Sequence, residues 1–373
     1  MIDIASLSAG WIAEKRTKYS KDPNLMESMI YALYLVERLK LSGLDFCFKG
    51  GTSLLLLIPS PKRFSIDIDI IVAPEMEKKE LEKYLAQVIE TSVFTRLEPD
   101  EKRSYQGNIP KAHYKFVYQS NFSNKNQQGE IISNPEREIL LDILFAPKHY
   151  PVLIEKVLET EWLKQDTLPV TLTIPDINSI AGDKLTAFAP NTTGILYGTG
   201  KEKEIIKQLF DIGCLFNLLT DIEVFKKSFL TSAEEEIRYR SMQKIESIQH
   251  VLQDIINTAL LIARKDILKN EGEKNKLKEI NTGINQFRHF VFDGKFEILE
   301  VQVAAAKAAY LAAIILTDYR EDLRVFDSKT PLTHYLIIHP DYNFLNKRLK
   351  FIAKGEALFY WSQTIRLLFP VDE

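Results

Sequence analysis

The stretch from Phe48 to Val72, FKGGTSLLLLIPSPKRFSIDIDIIV, constrains the fold more than any other part of the chain. Its last eight residues from Ser65, SIDIDIIV, alternate polar and apolar residues as a half-buried strand does. That places Ile66, Ile68 and Ile70 on one face and Ser65, Asp67 and Asp69 on the other. Its start, with the preceding LDFC, reads as a short strand that breaks at Gly50-Gly51. A helix then begins near Thr52-Ser53 and is stopped by Pro59 and Pro61.

The spacing of the two aspartates has a chemical use. Two residues along a strand separate their Cα atoms by roughly 6.5–7 Å, and such side chains can bend onto two divalent cations about 3.5–4 Å apart. Like charges on a half-buried strand repel, so a cation or an arginine partner is expected. Mg²⁺, or Mn²⁺ in its place, suits one or two carboxylates completed by phosphate oxygens and water. Asp142, a lone carboxylate in ILLDILF, is the candidate third acid on a neighbouring strand. The glycine pair leading into a helix offers backbone N–H groups, hydroxyls and the positive end of the helix dipole, a cradle for phosphates. Lys49 and Arg63 add positive charge close by. Each part also has a plainer reading, since a glycine pair before a helix is a common turn and an alternating I-D-I-D strand is often a surface strand. The conjunction of the parts favours nucleotide chemistry.

The flanking sequence predicts the rest of the architecture. Residues Asn24 to Leu41 place Leu25, Met29, Leu33 and Val36 at helical spacing, and Gly43 closes that helix. Pro74 opens a charged helix, PEMEKKELEKYLAQVIET. VFTRL, AHYKFVYQS and EILLDILF read as antiparallel strands joined by polar loops. The set makes an α/β or α+β domain with a mixed sheet and flanking helices. From Pro175 the pattern is helix, a Gly/Thr/Asn/Pro-rich loop, then helix. Beyond it the composition becomes helical and charged, with AEEEIRYRSMQKIESIQHVLQDIINTALLIARK the clearest run. A domain change is therefore expected near Thr220, giving domains 1–219 and 220–373.

Composition narrows the function. With 373 residues, 45% of them hydrophobic, two domains are expected. A formal net charge of −3 excludes a wholly basic nucleic-acid binder and leaves room for a local basic face. The two cysteines, Cys47 and Cys214, sit in apolar runs and read as buried side chains of a reducing compartment. The first residues do not resemble a signal peptide, and VQVAAAKAAYLAAIIL, which holds Lys307, suits a packed helix better than a membrane span. A cytoplasmic protein without a membrane partner is expected. His113 and Lys115, with Lys102, Arg103 and Lys111, form a basic and aromatic cluster that could track an RNA backbone. Tyr114, Phe116 and Tyr118 alternate on one face as sheet core does.

Taken in order, KGGTSLLLL, RFSIDIDIIV, LLDILF, DKLTAFAPNTTGILYG and EIIKQLFDI resemble the motifs of the AbiEii/AbiGii-type nucleotidyltransferase toxins, a branch of the DNA polymerase β-like nucleotidyltransferase superfamily. The resemblance runs from about Phe48 to Leu218. It implies a polymerase β-like catalytic domain and metal-dependent transfer of a nucleoside monophosphate from an NTP to an acceptor, with pyrophosphate leaving. It further implies a toxin with a cognate antitoxin, and an RNA acceptor, the tRNA 3′ end first. By the same resemblance Gly50, Gly51, Thr52 and Ser53 would hold phosphates, alongside Lys49, Arg63 and Ser65. Asp67 and Asp69 would bind the metal, with Asp142 in the place of a third acid that varies among members. Lys184 would contact the triphosphate. Lys207 and Asp211, one helical turn apart and facing the same way, would supply a second point charge and a carboxylate that orients a lysine or acts as a base. The plainer alternatives are solvated helix lysines and, for Asp211 in LFDIGCLF, a structural salt bridge. Two rival functions stay open: a nucleotidyltransferase with a protein or small-molecule acceptor, and a non-catalytic nucleotide-binding protein, against which the intact D-x-D argues.

Overall fold

The computed structural model describes residues 1–104, 110–125, 130–240, 247–265, 267–268 and 270–370. The chain divides into two units, Met1–Asp176 with His289–Gly294 and Ile177–Arg288 with Lys295–Glu373.

In the first unit the order is α1 (Ala9–Tyr19), α2 (Pro23–Leu41), β1 (Cys47–Lys49), α3 (Gly50–Leu57), β2 (Ile68–Val72), α4 (Lys78–Glu90), β3 (Arg96–Pro99), β4 (Lys111–Gln119), a two-stranded ribbon of β5 (Asn124–Lys125) and β6 (Ile131–Ile132), β7 (Glu136–Phe145), β8 (Leu153–Val157) and β9 (Thr171–Pro175). A seven-stranded sheet runs β3-β4-β7-β2-β1-β9-β8. β2 lies parallel to β7 and β1 to β9, while the remaining neighbours are antiparallel, so the sheet is mixed as the sequence implies.

Helix α2 starts at a proline, which loses no useful N–H there, behind Asp22, whose carboxylate accepts from the Asn24 amide at 2.9 Å. It ends before Gly43, at φ +89°. Met29, Leu33 and Val36 are fully buried, as their spacing predicts. Tyr114, Phe116 and Tyr118 are core, and Tyr118 stacks on Tyr31 of α2 with ring centroids 3.8 Å apart.

Two boundaries differ from the sequence reading. The D-x-D strand begins at Ile68 rather than Ser65. Upstream of it the chain is claimed by a distant segment: the Phe64 amide donates to the Phe290 carbonyl, the Phe292 amide donates to the Lys62 carbonyl (both 2.8 Å), and Arg63 bridges to Val291. Helix α4 begins at Lys78 rather than Pro74, because residues 73–76 form a turn closed by the Met76 amide on the Ala73 carbonyl.

The second unit holds α5 (Ile177–Ala187), α6 (Glu202–Phe216), α7 (Ile222–Tyr239), α8 (Ile248–Arg264), α9 (Glu271–Phe287), α10 (Ile298–Leu316), α11 (Leu345–Leu349) and α12 (Glu356–Leu368). Of the long charged run, residues 241–246 lie outside the described residues. Helix α10 packs on α6, α8 and α12 and is buried nearly all round, which explains its alanine-rich composition. By length and apolarity it could cross a membrane, yet 78% of that window is buried within the protein. Lys307 pairs with Glu356 at 2.8 Å and donates to Asn217 at 3.1 Å, between the rings of Phe216 and Tyr360. Gly182 allows α5 to lie against α7: a Cβ there would stand 2.6 Å from the Phe229 nitrogen. The composition change near Thr220 thus falls inside this unit, whose helices α5 and α6 pack with one another and with α7 and α10 respectively.

Candidate active site

The register of the first unit's sheet sets four polar side chains in one row across adjacent strands. Lys49 of β1 is the cross-strand partner of Asp69 on β2, Asp69 of Asp142 on β7, and Asp142 of His113 on β4. Partners in register project from the same face of a sheet at about 4.5–5.5 Å spacing. A lysine, two carboxylates and an imidazole therefore stand side by side, with Asp67 two residues before Asp69. Asp67, Asp69 and Asp142 are half-buried, whereas Ile68 and Ile70 are fully buried.

The glycine pair is packed directly against this row. A Cβ on Gly50 would stand 2.1 Å from the Asp69 Oδ2, and Gly50 has φ +78°, so only glycine fits. On Gly51 a Cβ would stand 2.5 Å from an Arg63 guanidinium nitrogen and 2.9 Å from the Ser65 Oγ. Thr52 donates to the Asp67 carbonyl at 2.5 Å and is 2.9 Å from the Ser65 Oγ; Ser53 donates to the Gly50 carbonyl at 2.9 Å. Both hydroxyls act inside the fold: Thr52 ties the start of α3 to the backbone that leads into the aspartates, and Ser53 closes the first turn of α3 itself. Arg63, also buried, donates to the Phe64 carbonyl at 2.9 Å.

Asp142 has its own partners. His113 Nδ1 lies 2.5 Å from one carboxylate oxygen and an Arg103 nitrogen 3.5 Å from the other, while Lys115 pairs with Glu138 at 3.0 Å. Three members of the basic cluster, Arg103, His113 and Lys115, thus have acid partners on β7. His113 as the partner of Asp142 was not legible, because the two are 29 positions apart and only the β4–β7 register joins them. The segment at 290–292 that holds 62–64 carries no local signal either.

In the second unit Lys184 of α5 pairs with Asp211 of α6 at 3.0 Å, both side chains almost wholly buried, and donates to Gln208 at 3.1 Å. Asp211 thus orients a lysine, Lys184. Lys207 faces Glu204 at 3.2 Å. Burial pushes the Glu204 carboxyl up, but Lys207 and Lys203 outweigh it and hold the group below its ordinary value. The PNTTG loop is latched by Asp254 of α8, which accepts from the Asn191 amide at 2.8 Å, the Asn191 Nδ2 at 2.5 Å, the Thr192 hydroxyl at 2.9 Å and the Thr258 hydroxyl at 3.3 Å.

As donors for a cation the row offers the carboxylates of Asp69 and Asp142, with the His113 imidazole turned to Asp142. Among the described residues no three His, Cys, Asp or Glu side chains form a ready cage. Asp69 beside Asp142, with Asp67 close in sequence, is instead an open carboxylate set. That pattern fits Mg²⁺, which keeps water and phosphate oxygens in its shell.

Over residues 34–329 the sequence matches the family described as nucleotidyl transferase AbiEii toxin, type IV TA system. The match takes in every candidate site residue and extends past Leu218 into the helical unit. No curated protein matches. A solved structure, that of an antigenic nucleotidyltransferase-like protein from Paracoccidioides brasiliensis, is 11% identical with a TM-score of 0.34, covering 60% of this chain and 92% of that one. With the family match spanning most of its length, the chain belongs to the AbiEii nucleotidyltransferase toxins of type IV toxin–antitoxin systems.

Proposed function

We propose that this toxin acts in the cytoplasm, using a divalent cation to transfer a nucleoside monophosphate from an NTP to the 3′ end of an RNA, tRNA first. The observation that carries the reading is the row Lys49, Asp69, Asp142, His113, with Gly50 packed against Asp69. Asp67 and Asp69 would hold the cation, with Asp142 as a third donor. Bound there, it would neutralise the triphosphate and lower the pKa of the attacking hydroxyl.

The chain's own residues supply the rest. Lys49 brings positive charge to the edge of the carboxylates, and the first turn of α3 brings backbone N–H groups and its dipole toward phosphate. Gly50 and Gly51 let the backbone approach a ligand that any side chain would hold off. Thr52 and Ser65 keep the Asp67 backbone in place. His113 and Arg103 fix the Asp142 carboxylate. Helices α5 and α6 carry a second part of the proposal: Lys207, the more exposed lysine, as a phosphate-directed cation, and Lys184 as a cation positioned by Asp211. On this reading the functional catalytic domain extends to about residue 219, with 220–373 as the helical C-terminal domain.

The test is purified protein with Mg²⁺, each α-labelled NTP in turn and total RNA, beside the Asp67→Ala variant. Label in a tRNA-sized band that vanishes in the variant is the expected result. Label in protein or small-molecule fractions would replace the RNA acceptor, and absence of turnover with every acceptor would leave a nucleotide-binding protein.

A further inference from the structure

The second unit carries a surface that none of this chemistry uses. Residues 342–355, YNFLNKRLKFIAKG, contain Lys347, Arg348, Lys350 and Lys354 and no acid, in a chain of net charge −3. Lys347, Lys350 and Lys354 are exposed and have no ion pair among the described residues. Amid these cations Phe351 is 78% exposed, while Leu345 and Leu349 of the same segment are fully buried. The Lys350 Nζ stands 4.7 Å from the Phe351 ring centroid.

A second set of rings adjoins α11 through Asn346. Its side-chain amide accepts from the Ile337 N–H and donates to the Ile337 carbonyl, both at 2.9 Å, which fixes the 336–338 segment to α11. That segment leads into His339, whose ring lies 4.3 Å from Phe369 and 5.3 Å from Tyr342, with Phe369 itself 40% exposed. Ile338 beside it is 87% exposed, and Asp341 is the exposed acid of the turn. Between Phe351 and α12 the backbone is left-handed at Ala353, Lys354 and Gly355 (φ 47°, 58° and 97°), a conformation costly to residues with a Cβ. The chain thus keeps a strained turn where it exposes an aromatic ring and unpaired cations.

We propose that this surface, built by α11, the turn at 350–355 and the rings of His339, Tyr342 and Phe369, binds an unpaired stretch of an RNA chain. The inference rests on the RNA-acceptor reading above and deepens it. Unpaired lysines answer a chain of phosphates, and exposed rings answer unstacked bases, which only single-stranded segments offer. Charge complementarity selects this occupant.

The test is fluorescence anisotropy of a labelled unstructured oligoribonucleotide and of tRNA on the full chain carrying Asp67→Ala, which blocks turnover. Phe351→Ala should weaken binding about 10-fold or more, and Phe351→Trp should retain it. Lys347→Gln, Lys350→Gln and Lys354→Gln together should weaken it further and reduce the slope of log affinity against log salt by about 2. Melting temperatures should stay unchanged, since all four side chains are exposed. Equal affinity in these variants, from a wild-type protein that labels and binds RNA, would overturn the surface and leave the transfer reading intact. A wild-type protein that neither binds nor labels RNA would overturn both. Binding to anionic lipid vesicles, lost in the variants while RNA binding persists, would assign the surface to lipid headgroups instead.

Discussion

Two charged constellations in this chain read alike in sequence and differ in structure. Asp69 and Asp142 are single carboxylates among apolar residues, and so is Asp211. In the first unit the acids stay half-buried in a row, with glycine backbone cleared around them. In the second, Asp211 is closed off with Lys184, their side chains 2% and 6% exposed. A buried pair holds its place because breaking it strands a charge, while half-exposed acids side by side in register still repel one another even where, as at Asp142, His113 and Arg103 answer one of them. The lesson is that an isolated acid in an apolar run announces a partner, and only topology says whether that partner is internal.

The comparison is broken most directly at Asp69. Asp69→Asn should reduce nucleotide transfer at least ~10³-fold and abolish growth inhibition with little change in melting temperature; retained transfer would make the row structural. Asp211→Asn should do the opposite first, lowering unfolding free energy by about 3–5 kcal/mol in urea titration because Lys184 is left buried and uncompensated. The double variant Lys184→Met with Asp211→Leu should recover most of that stability; if folded but inactive it supports Lys184 as a working cation, and if folded and active it leaves the pair structural. Gly50→Ala sits next in size: strain at φ +78° and the clash with Asp69 should cost about 1–3 kcal/mol by thermal denaturation and impair transfer as well. His113→Ala should lower transfer about 10-fold and weaken dependence on added Mg²⁺ concentration less than Asp69→Asn does, since it acts through Asp142.

The smallest effect is at Glu204. Its carboxyl is held below its ordinary value in the fold, so its stabilisation is present above the unfolded carboxyl's value and is lost as pH falls through the folded one. Lys207→Met should remove part of that acid-side loss, by less than about 1 kcal/mol given the partial exposure of both groups. Identical stability profiles from neutral pH into the acid range would show that the two side chains do not interact.

Much of this was legible from local pattern. The helix over 24–41, the break at Gly50-Gly51 and the core face of Tyr114, Phe116 and Tyr118 follow from periodicity and turn chemistry, which act between near neighbours. The strand limit at Ile68 was not, because residues 62–64 are engaged by 290–292, and pairing over such a separation leaves no mark in either segment. Strand β8, LIEKV, escaped because it is an edge strand with a half-open burial pattern rather than clean alternation. At the candidate site the acids and glycines could be named singly, but the row depends on the registers of β1, β2, β7 and β4. His113 was visible as a basic residue and invisible as the neighbour of Asp142.

The Asp254 latch has a consequence for how the protein opens. A loop reading Pro-Asn-Thr-Thr-Gly ordinarily breathes on its own and is where proteases cut first. Here its amide at Asn191 is tied to a carboxylate on α8, so solvent reaches that N–H only when the helix contact itself lets go. In deuterium exchange Asn191 should behave as a member of α8 rather than as a surface loop, and Asp254→Ala should turn the same segment into the first site of cleavage.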